Sequence, residues 1–256
     1  MRGEYALNES NSLQEEVAIT TITEPPTKTN VVVEEIHFNK VPDTFVITPI
    51  PLNEARGYLI SKRILDIVGA VLGLLILSPF LFVLAMIIKF EDKNSSIFFS
   101  QERVGKNGEK FKMYKFRSMV SDAEERLSAL LEHNETTGAM FKMANDPRVT
   151  KVGRFIRKTS VDELPQLWNV LRGEMSLVGP RPPLPREVAE YTSYDLQRLS
   201  VVPGCTGLWQ VSGRSNIGFK EMVDLDILYI KTRNFMMDLK IIVKTITVLF
   251  GSKDAY

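Results

Sequence analysis

Residues 64–88 form an apolar run of 25 residues that contains a single formal charge, Asp66. As a straight helix, at about 1.5 Å per residue, this run would be roughly 37 Å long. A transmembrane helix needs about 20 apolar residues to cross the hydrocarbon core of a bilayer. A segment this apolar must be buried in lipid or in a protein core, and its length favours lipid. The run therefore predicts a membrane segment.

Two features of this run argue against a straight crossing. Ser78-Pro79 lies past its middle, where the proline removes a backbone donor and its ring crowds the preceding turn. Lys62-Arg63 precede the run and Lys89 follows it, whereas a spanning helix concentrates basic residues on its cytoplasmic side. Three structures fit this pattern: a kinked single span, a re-entrant helix hairpin broken at the Ser-Pro pair, and a helix buried in a soluble protein.

Charge is divided unequally along the chain. Residues 1–61 hold four basic and nine acidic side chains, and residues 62–256 hold 28 basic and 22 acidic ones. The first part is rich in Thr and Pro and has too little apolar periodicity for a core. It also lacks the basic start and apolar centre of a signal peptide. We expect an acidic, largely disordered or extended N-terminal arm over 1–61, with a dispensable tail as the simpler alternative.

The scarcity of cysteine and histidine excludes several kinds of chemistry. Cys205 is the only cysteine, which rules out a disulfide framework and a thiolate zinc site. His37 and His133 are the only histidines and are far apart in sequence, so imidazole-based metal or triad chemistry is not expected. The basic residues are dispersed among acidic ones and form no nucleic-acid-binding module, so no nucleic-acid partner is expected. If the protein is an enzyme, carboxylates are expected to carry its chemistry.

The chain beyond the apolar run has the pattern of an α/β, mainly helical, globular domain. Residues 97–99 and 111–116 are predicted strands because they are short, aromatic-rich and bounded by turn residues. Gly105 and Asn107-Gly108 are predicted to form the turn between them.

Two helices are predicted in the same part of the chain. Residues 121–133 begin with a capping residue and continue with leucines at helical spacing. Residues 237–250 form an apolar-rich segment that also carries Lys240 and Lys244. This second helix either lies in the headgroup layer as an amphipathic interfacial helix or packs in the protein core.

Adjacent carboxylates occur at Asp162-Glu163, near the start of a predicted helix. One interpretation is structural. Ser160 and Glu163 have the spacing of a capping box, and acidic residues in a first turn suit the helix dipole.

The other interpretation of this pair is functional. Asp162 would attack a phosphorus atom or hold a metal ion, facing an anion-binding surface formed by nearby basic residues. Those residues are Arg154, Arg157 and Lys158.

Two further loops present arginines on restricted backbones. Residues 179–183 read Gly-Pro-Arg-Pro-Pro, so Arg181 projects from a stiff loop, and its planar guanidinium suits phosphate. A rigid turn with a surface arginine is the alternative. Residues 203–214 combine glycines, hydroxyls, Trp209 and Arg214, which would suit anion binding or base stacking, although a tryptophan packed in the core is the favoured interpretation of Trp209. Together with the membrane segment and the carboxylates, these loops favour chemistry on a phosphorylated substrate at a membrane surface.

Residues 62 to about 250, roughly three quarters of the chain, resemble the bacterial sugar transferase family. These are the monotopic phosphoglycosyl transferases that start lipid-linked glycan assembly. The resemblance rests on motifs in a fixed order. They are Lys62-Arg63-Ile64-Leu65-Asp66, Ser78-Pro79, Gln101-Glu102-Arg103-Val104-Gly105, Lys115-Phe116-Arg117-Ser118-Met119, Asp162-Glu163-Leu164-Pro165-Gln166, Val178-Gly179-Pro180-Arg181-Pro182, and the segment from Pro203 to Arg214.

The resemblance implies a reaction and its catalytic residues. A sugar 1-phosphate, from glucose or galactose, would pass from a UDP-sugar to undecaprenyl phosphate with release of UMP, as the first membrane step of capsule or exopolysaccharide synthesis. Asp162 would form a covalent aspartyl-phosphosugar intermediate and bind Mg²⁺ as cofactor. Glu163 would orient Asp162 or position the metal. Arg181 would contact the nucleotide. The other substrate-binding residues implied are Pro180, Arg154, Arg214 and Arg117.

The resemblance also implies a topology. It favours a re-entrant membrane helix over 62–89, followed by a catalytic domain over 90–256 on the cytoplasmic face of the bacterial cell membrane. Membrane phospholipids would be partners, and a homo-oligomer is allowed. Three alternatives remain for the function: the same reaction with an N-acetylhexosamine UDP-sugar, a non-catalytic membrane scaffold for polysaccharide assembly, and a carboxylate-nucleophile phosphatase.

Overall fold

A computed structural model describes residues 50–93, 95–130, 143, 145–213 and 217–251, with side chains up to Val248. The expectations for residues 1–49 of the arm and for Arg214 lie outside this part. Nine α-helices and four short strands occur among the described residues, which confirms the mainly helical character. In chain order they are α1 (Arg56–Glu91), β1 (Phe98–Val104), β2 (Lys110–Phe116), α2 (Leu127–Leu130), α3 (Lys151–Lys158), α4 (Gln166–Arg172), β3 (Ser176–Val178), α5 (Pro185–Val188), α6 (Ser193–Leu196), β4 (Gly204–Thr206), α7 (Leu208–Ser212), α8 (Phe219–Thr232) and α9 (Phe235–Gly251).

Helix α1 contains the whole apolar run and is 36 residues long. It begins six residues before Lys62, within the segment that the sequence assigned to the arm. Pro79 lies inside the helix, where it cannot donate to the carbonyl of Leu75. The Ser78 hydroxyl donates to that carbonyl instead, at 2.8 Å. The serine therefore satisfies the acceptor that the proline leaves without a backbone partner.

Most of the apolar surface of α1 is exposed. Among the described helices, α1 alone is long and apolar enough to cross a membrane, and only 11% of its most apolar stretch is buried within the protein. Ile76 is 73% exposed and Phe82 is 70% exposed. The core helix of a soluble protein would be mostly buried. This exposure therefore argues against a helix buried in a soluble protein and suits a lipid environment.

Both halves of α1 nevertheless contact the domain that follows it. Ala70, in the first half, is fully buried in a cluster that includes residues of α4 and β2. Leu84 and Ile88, in the second half, are buried against Phe116 and Ile156. The two most exposed large apolar residues of α1, Ile76 and Phe82, lie between these two contacts. Helix α1 thus packs on a single domain through both of its halves.

A buried polar cluster fixes the first half of α1. Lys62 Nζ lies 3.2 Å from Asp238 Oδ2 in α9 and donates to the carbonyl of Val178 at 2.9 Å. The hydroxyls of Tyr58 and Tyr229 donate to the same carboxylate at 3.1 and 2.7 Å. We call Tyr58, Lys62, Tyr229 and Asp238 the anchor cluster. All four are buried, and their hydrogen bonds offset the cost of removing the two charges from water.

Two more residues of α1 bind neighbouring elements. Arg63 binds α4, which follows Asp162, and Asp66 binds β3, which precedes Arg181. The Arg63 guanidinium donates to two carbonyls at the C-terminal end of α4, at 2.7 and 2.8 Å, where a cation is favoured. Asp66 Oδ1 accepts hydrogen bonds from Ser176 Oγ and Leu177 N of β3, at 2.9 and 2.8 Å. The polar side chains in the first half of α1 therefore have structural partners in the domain.

The predicted β-hairpin is confirmed. Strands β1 and β2 pair antiparallel, with Gln101 opposite Met113. The turn between them contains Asn107 at φ 56° and Gly108 at φ 81°, in the left-handed region that asparagine and glycine tolerate best. Strands β3 and β4 form a second, parallel pair.

The predicted helices have mixed outcomes. Over 121–133, only α2 is helical among the described residues, residues 121–126 form turns, and residues 131–133 lie outside the described part. The helix predicted over 237–250 is confirmed as α9. Its Ile241 is buried, whereas Val243 and Ile246 are 61% and 51% exposed. Helix α9 thus packs on the core with one side and leaves apolar side chains exposed on another.

Candidate active site

Asp162 and Glu163 lie on a single 3₁₀ turn, Val161–Glu163, between α3 and α4. Ser160 precedes the turn in the left-handed conformation, at φ 55°, and its side chain makes no capping hydrogen bond. The capping-box interpretation is therefore wrong. Asp162 and Glu163 do not belong to a capping box at this turn.

Glu163 is paired with a lysine from β2. Its Oε1 lies 2.7 Å from Lys115 Nζ. Packing by protein atoms raises the pKa of Glu163, but the Lys115 ammonium outweighs this effect and holds that pKa below its ordinary value. Glu163 is consequently ionised at neutral pH, and it is the member of the pair whose charge is compensated.

Asp162 differs from its neighbour in both burial and partners. It is 6% exposed, and no described side chain donates a hydrogen bond to its carboxylate. Burial raises its pKa to about 6, the charge of Glu163 adds to the rise, and Lys115 and Arg157 oppose it. At pH 7 this carboxylate is mostly ionised but poorly stabilised, which makes it a better nucleophile than an ordinary aspartate.

A cavity of about 1310 Å³ surrounds this carboxylate pair. Eight basic and five acidic side chains line it, so its wall has an excess of positive charge that suits a phosphorylated ligand. The cavity brings together most of the residues predicted from sequence. Those that line it are Asp162, Glu163, Arg117, Arg154 and Arg181. Arg214 lies outside the described residues.

Pro180 is not among the residues that line the cavity. It is buried, and its carbonyl accepts a hydrogen bond from Gly204 N at 2.8 Å. It thereby links the loop after β3 to β4. In this structure Pro180 fixes the backbone next to Arg181, and its contact with substrate stays a prediction.

Arg181 is held by a buried carboxylate that the sequence did not identify. Its two terminal nitrogens lie 2.9 and 3.2 Å from the carboxylate oxygens of Glu187, which is 1% exposed. Burial raises the pKa of Glu187, but Arg181 outweighs this and holds that pKa below its usual value. Arg198 adds a hydrogen bond to the backbone carbonyl of Arg181 at 3.2 Å. The guanidinium is therefore fixed in orientation at the cavity wall.

Two more basic side chains at the cavity, Arg103 and Lys115, had no predicted role, whereas Arg157 was predicted to help form the anion-binding surface. Arg103 of β1 donates to the carbonyl of Pro182 at 2.9 Å, and burial together with the charge of Arg181 lowers its pKa to about 9. Lys115 and Arg157 act on Asp162 as described above. Arg103 and Lys115 occur within the ordered motifs, which was the only signal in the sequence that could have identified them.

The residues present fit a divalent cation that is shared with a substrate. No group of three or more His, Cys, Asp or Glu side chains that could hold a metal ion occurs among the described residues. A Mg²⁺ ion is commonly bound through one or two carboxylates, with substrate phosphates and waters as its other ligands. Asp162, which lines the cavity and accepts no hydrogen bond from a described side chain, is suited to supply such a ligand.

Comparisons with known proteins give a consistent set of relatives. Galactosyl transferase CpsE of Streptococcus agalactiae serotype III is 52% identical over 194 residues, which cover 75% of this chain and 43% of that protein. Undecaprenyl-phosphate galactose phosphotransferase of Salmonella typhimurium is 44% identical over 199 residues, covering 76% and 41%. Exopolysaccharide production protein ExoY of Rhizobium meliloti is 41% identical over 200 residues, covering 77% and 88%.

The chain therefore spans less than half the length of the first two relatives and most of the third. The sequence profile of the bacterial sugar transferases matches residues 57–252, which contain all of α1 except Arg56 and every cavity residue described above. The chain belongs to the bacterial sugar transferase family.

Proposed function

We propose that this protein transfers a hexose 1-phosphate from a UDP-sugar, UDP-galactose or UDP-glucose, to undecaprenyl phosphate and releases UMP. The observation that carries the proposal is the difference in pKa and partners between the adjacent carboxylates of Asp162 and Glu163. Asp162 has a raised pKa and accepts no hydrogen bond from a described side chain, and it lies beside the ion-paired Glu163 in a basic cavity. The names of the relatives support this choice, since they include a galactosyl transferase and an undecaprenyl-phosphate galactose phosphotransferase.

The reaction would proceed in two displacements at one phosphorus atom. The Asp162 carboxylate attacks the sugar-linked phosphorus, the phosphorus–oxygen bond to UMP breaks, and UMP departs with the bonding electron pair. An oxygen of the lipid phosphate then attacks the same phosphorus and releases the aspartate, which yields a lipid diphosphate sugar. A soluble and a membrane-bound substrate can thereby use one site in turn.

The remaining side chains of the site would bind and orient the substrate. Arg181, fixed by Glu187, offers its guanidinium to a phosphate. Lys115 and Arg157 keep positive charge next to the attacking carboxylate. Asp162, with Glu163 beside it, would hold Mg²⁺. When bound, that ion would neutralise phosphate charge that otherwise repels a carboxylate.

The membrane part of the proposal is a re-entrant helix whose two ends are on the cytoplasmic side. Both halves of α1 pack on one domain, and its two most exposed large apolar residues, Ile76 and Phe82, lie between these contacts. A single cysteine at Gly57, where a Cβ meets no atom within 4 Å, and another at the exposed Lys93 would mark the two ends. In a Cys205→Ser background, a membrane-impermeant thiol reagent should label both from the cytoplasmic side. Labelling from opposite sides would show a single span.

The proposed reaction is tested by measuring UMP release from UDP-galactose and UDP-glucose by the detergent-solubilised full chain. We expect multiple turnovers only when undecaprenyl phosphate and Mg²⁺ are both present, with a lipid-linked sugar as product. Sugar phosphate released to water without a lipid product would identify a phosphatase instead. Turnover with UDP-N-acetylhexosamines alone would correct the sugar, and no UMP release from any UDP-sugar would refute the proposal.

A further inference from the structure

The cavity has a second wall that carries no formal charge. Thr206, Trp209, Gln210, Ile242 and Thr245 line it, and we call these five residues the uncharged wall. The hydroxyls of Thr206 and Thr245 lie 2.8 Å apart. Trp209 and Ile242 pack against the same hydrophobic cluster. The five residues therefore form one surface, contributed by β4, α7 and α9.

Two residues of this wall have hydrogen-bonding atoms without a partner. Trp209 Nε1 and Gln210 Oε1 are both buried, and neither is paired with any described residue. The Gln210 carboxamide lies against Gly207, where an added Cβ would come within 2.8 Å of Oε1, so the glycine leaves room for it. Native proteins keep few buried donors and acceptors unpaired, because each one destabilises the fold. A ligand that both accepts and donates hydrogen bonds here would supply the missing partners.

The uncharged wall adjoins the carboxylate pair and the arginine loop. Cys205, the residue before Thr206, lines the same cavity as Asp162 and Glu163. The backbone carbonyl of Thr206, the next residue, accepts a hydrogen bond from Gly179 N at 2.8 Å, two residues before Arg181. A ligand group beside Asp162 would thus be within reach of the uncharged wall.

We propose that the uncharged wall binds the hexose of the nucleotide sugar, and that Trp209 and Gln210 determine which hexose is accepted. This inference rests on the proposed function. In a nucleotide sugar the hexose is one bridging oxygen away from the phosphorus that Asp162 would attack, whereas the uridine is attached to the other phosphate. The diphosphate matches the basic side chains, and a neutral ring with several hydroxyls matches an indole N–H and a carboxamide.

Discrimination between hexoses follows from the same two side chains. Galactose and glucose differ in the orientation of one hydroxyl. A site that hydrogen-bonds a particular hydroxyl rejects a sugar whose hydroxyl points elsewhere, because the polar groups of the site are then left unpaired. Removing one of those groups should therefore weaken binding of the preferred sugar and reduce the preference.

The test uses Gln210→Met, which keeps the length of the side chain but removes its carboxamide, and Trp209→Phe, which keeps an aromatic ring but removes the N–H. Gln197→Met, at a half-buried position that does not line the cavity, is the matched control. The kcat/KM values for UDP-galactose and UDP-glucose are measured for each variant, together with inhibition by UMP, which carries the nucleotide but no sugar. Thermal unfolding establishes that each variant is folded.

For Gln210→Met we expect kcat/KM for the preferred UDP-hexose to fall about tenfold or more. The ratio of the kcat/KM values for the two UDP-hexoses should move closer to one. Trp209→Phe should act in the same direction, while inhibition by UMP stays within about twofold of wild type for both. Equal weakening of UMP inhibition would place the uridine on this wall and overturn the inference. Unchanged kcat/KM values and ratios in both folded variants would also overturn it. Wild-type protein that releases no UMP from any UDP-sugar would overturn the proposed function and this inference together.

Discussion

Two buried aspartates in this protein have opposite surroundings. Asp238 of the anchor cluster is fully buried and accepts hydrogen bonds from Tyr58, Lys62 and Tyr229. Asp162 at the cavity is nearly as buried, but no described side chain donates to its carboxylate. Burial raises its pKa to about 6.

This difference separates a carboxylate that stabilises the fold from one that is available for chemistry. A buried charge with several hydrogen-bond partners fixes the elements that meet there, which are α1, α8 and α9 in the anchor cluster. A buried charge with few partners destabilises the fold but remains reactive. Substitutions in the anchor cluster should therefore reduce stability, and substitutions at Asp162 should reduce activity.

The largest effect is expected at Asp162 itself. Asp162→Asn should lower the rate of UMP release about a thousandfold or more, because an amide is a poor nucleophile. The folded-state pKa of this carboxyl is raised, so above about pH 6 the ionised group destabilises the fold, and a neutral amide removes that cost. The unfolding temperature should consequently stay the same or rise. Asp122→Asn, at a partly exposed aspartate paired with Arg126, is the control.

The anchor cluster should show the reverse pattern. Lys62→Met leaves the buried Asp238 without its cation and should lower the free energy of unfolding by about 3 kcal/mol. Lys110→Met breaks a pair with Glu102 in which both side chains are more than half exposed, and it should change that free energy by less than about 1 kcal/mol. Thermal unfolding in one detergent compares the two variants. Equal unfolding temperatures would mean that the anchor cluster does not stabilise the attachment of α1.

A smaller effect on activity is expected for the carboxylate that holds Arg181. Glu187→Gln keeps the shape of the side chain but removes the charge that fixes the guanidinium. We expect KM for the UDP-sugar to rise about tenfold, with a smaller change in kcat, because binding is affected more than the reacting carboxylate. Glu190→Gln, at an exposed position three residues later, should leave both parameters unchanged. A fall in kcat alone would argue against a role in substrate binding.

The smallest effect concerns pH. Because the pKa of Asp162 is about 6, the ionised fraction falls as the pH drops through that value. The rate of UMP release should then fall about tenfold for each further pH unit. Lys115 lowers the pKa of Asp162, so Lys115→Met should move the fall in rate to higher pH. If the rate of UMP release is constant between pH 5 and 7 while the protein stays folded, the reaction does not require ionised Asp162, which would contradict the proposed mechanism.

The sequence predicted features that depend on local chemistry. The apolar run between basic flanks predicted the exposed helix α1, and the Asn107-Gly108 pair predicted the hairpin of β1 and β2. The resemblance to the family, carried by ordered motifs, singled out Asp162 and Arg181, which the structure places in one cavity.

Contacts between distant residues could not be predicted in this way. Lys115 and Glu163 are 48 positions apart, and Lys62 and Asp238 are 176 apart. Nothing in either local segment specifies such a partner, because the packing of whole elements brings the charges together. The capping box failed for a related reason. Its residue spacing is correct, but Ser160 adopts a left-handed conformation that only the folded chain imposes.

The identity of the nucleophile is tested most directly by intact-protein mass spectrometry of the enzyme mixed with Mg²⁺ and UDP-galactose, or UDP-glucose if that is the preferred substrate, in the absence of undecaprenyl phosphate. We predict a mass increase of one hexose phosphate, located on the peptide that contains Asp162 and absent from Asp162→Asn. Addition of undecaprenyl phosphate should discharge it. Turnover by the wild-type enzyme with no adduct, or an adduct on another residue, would contradict the assignment of Asp162.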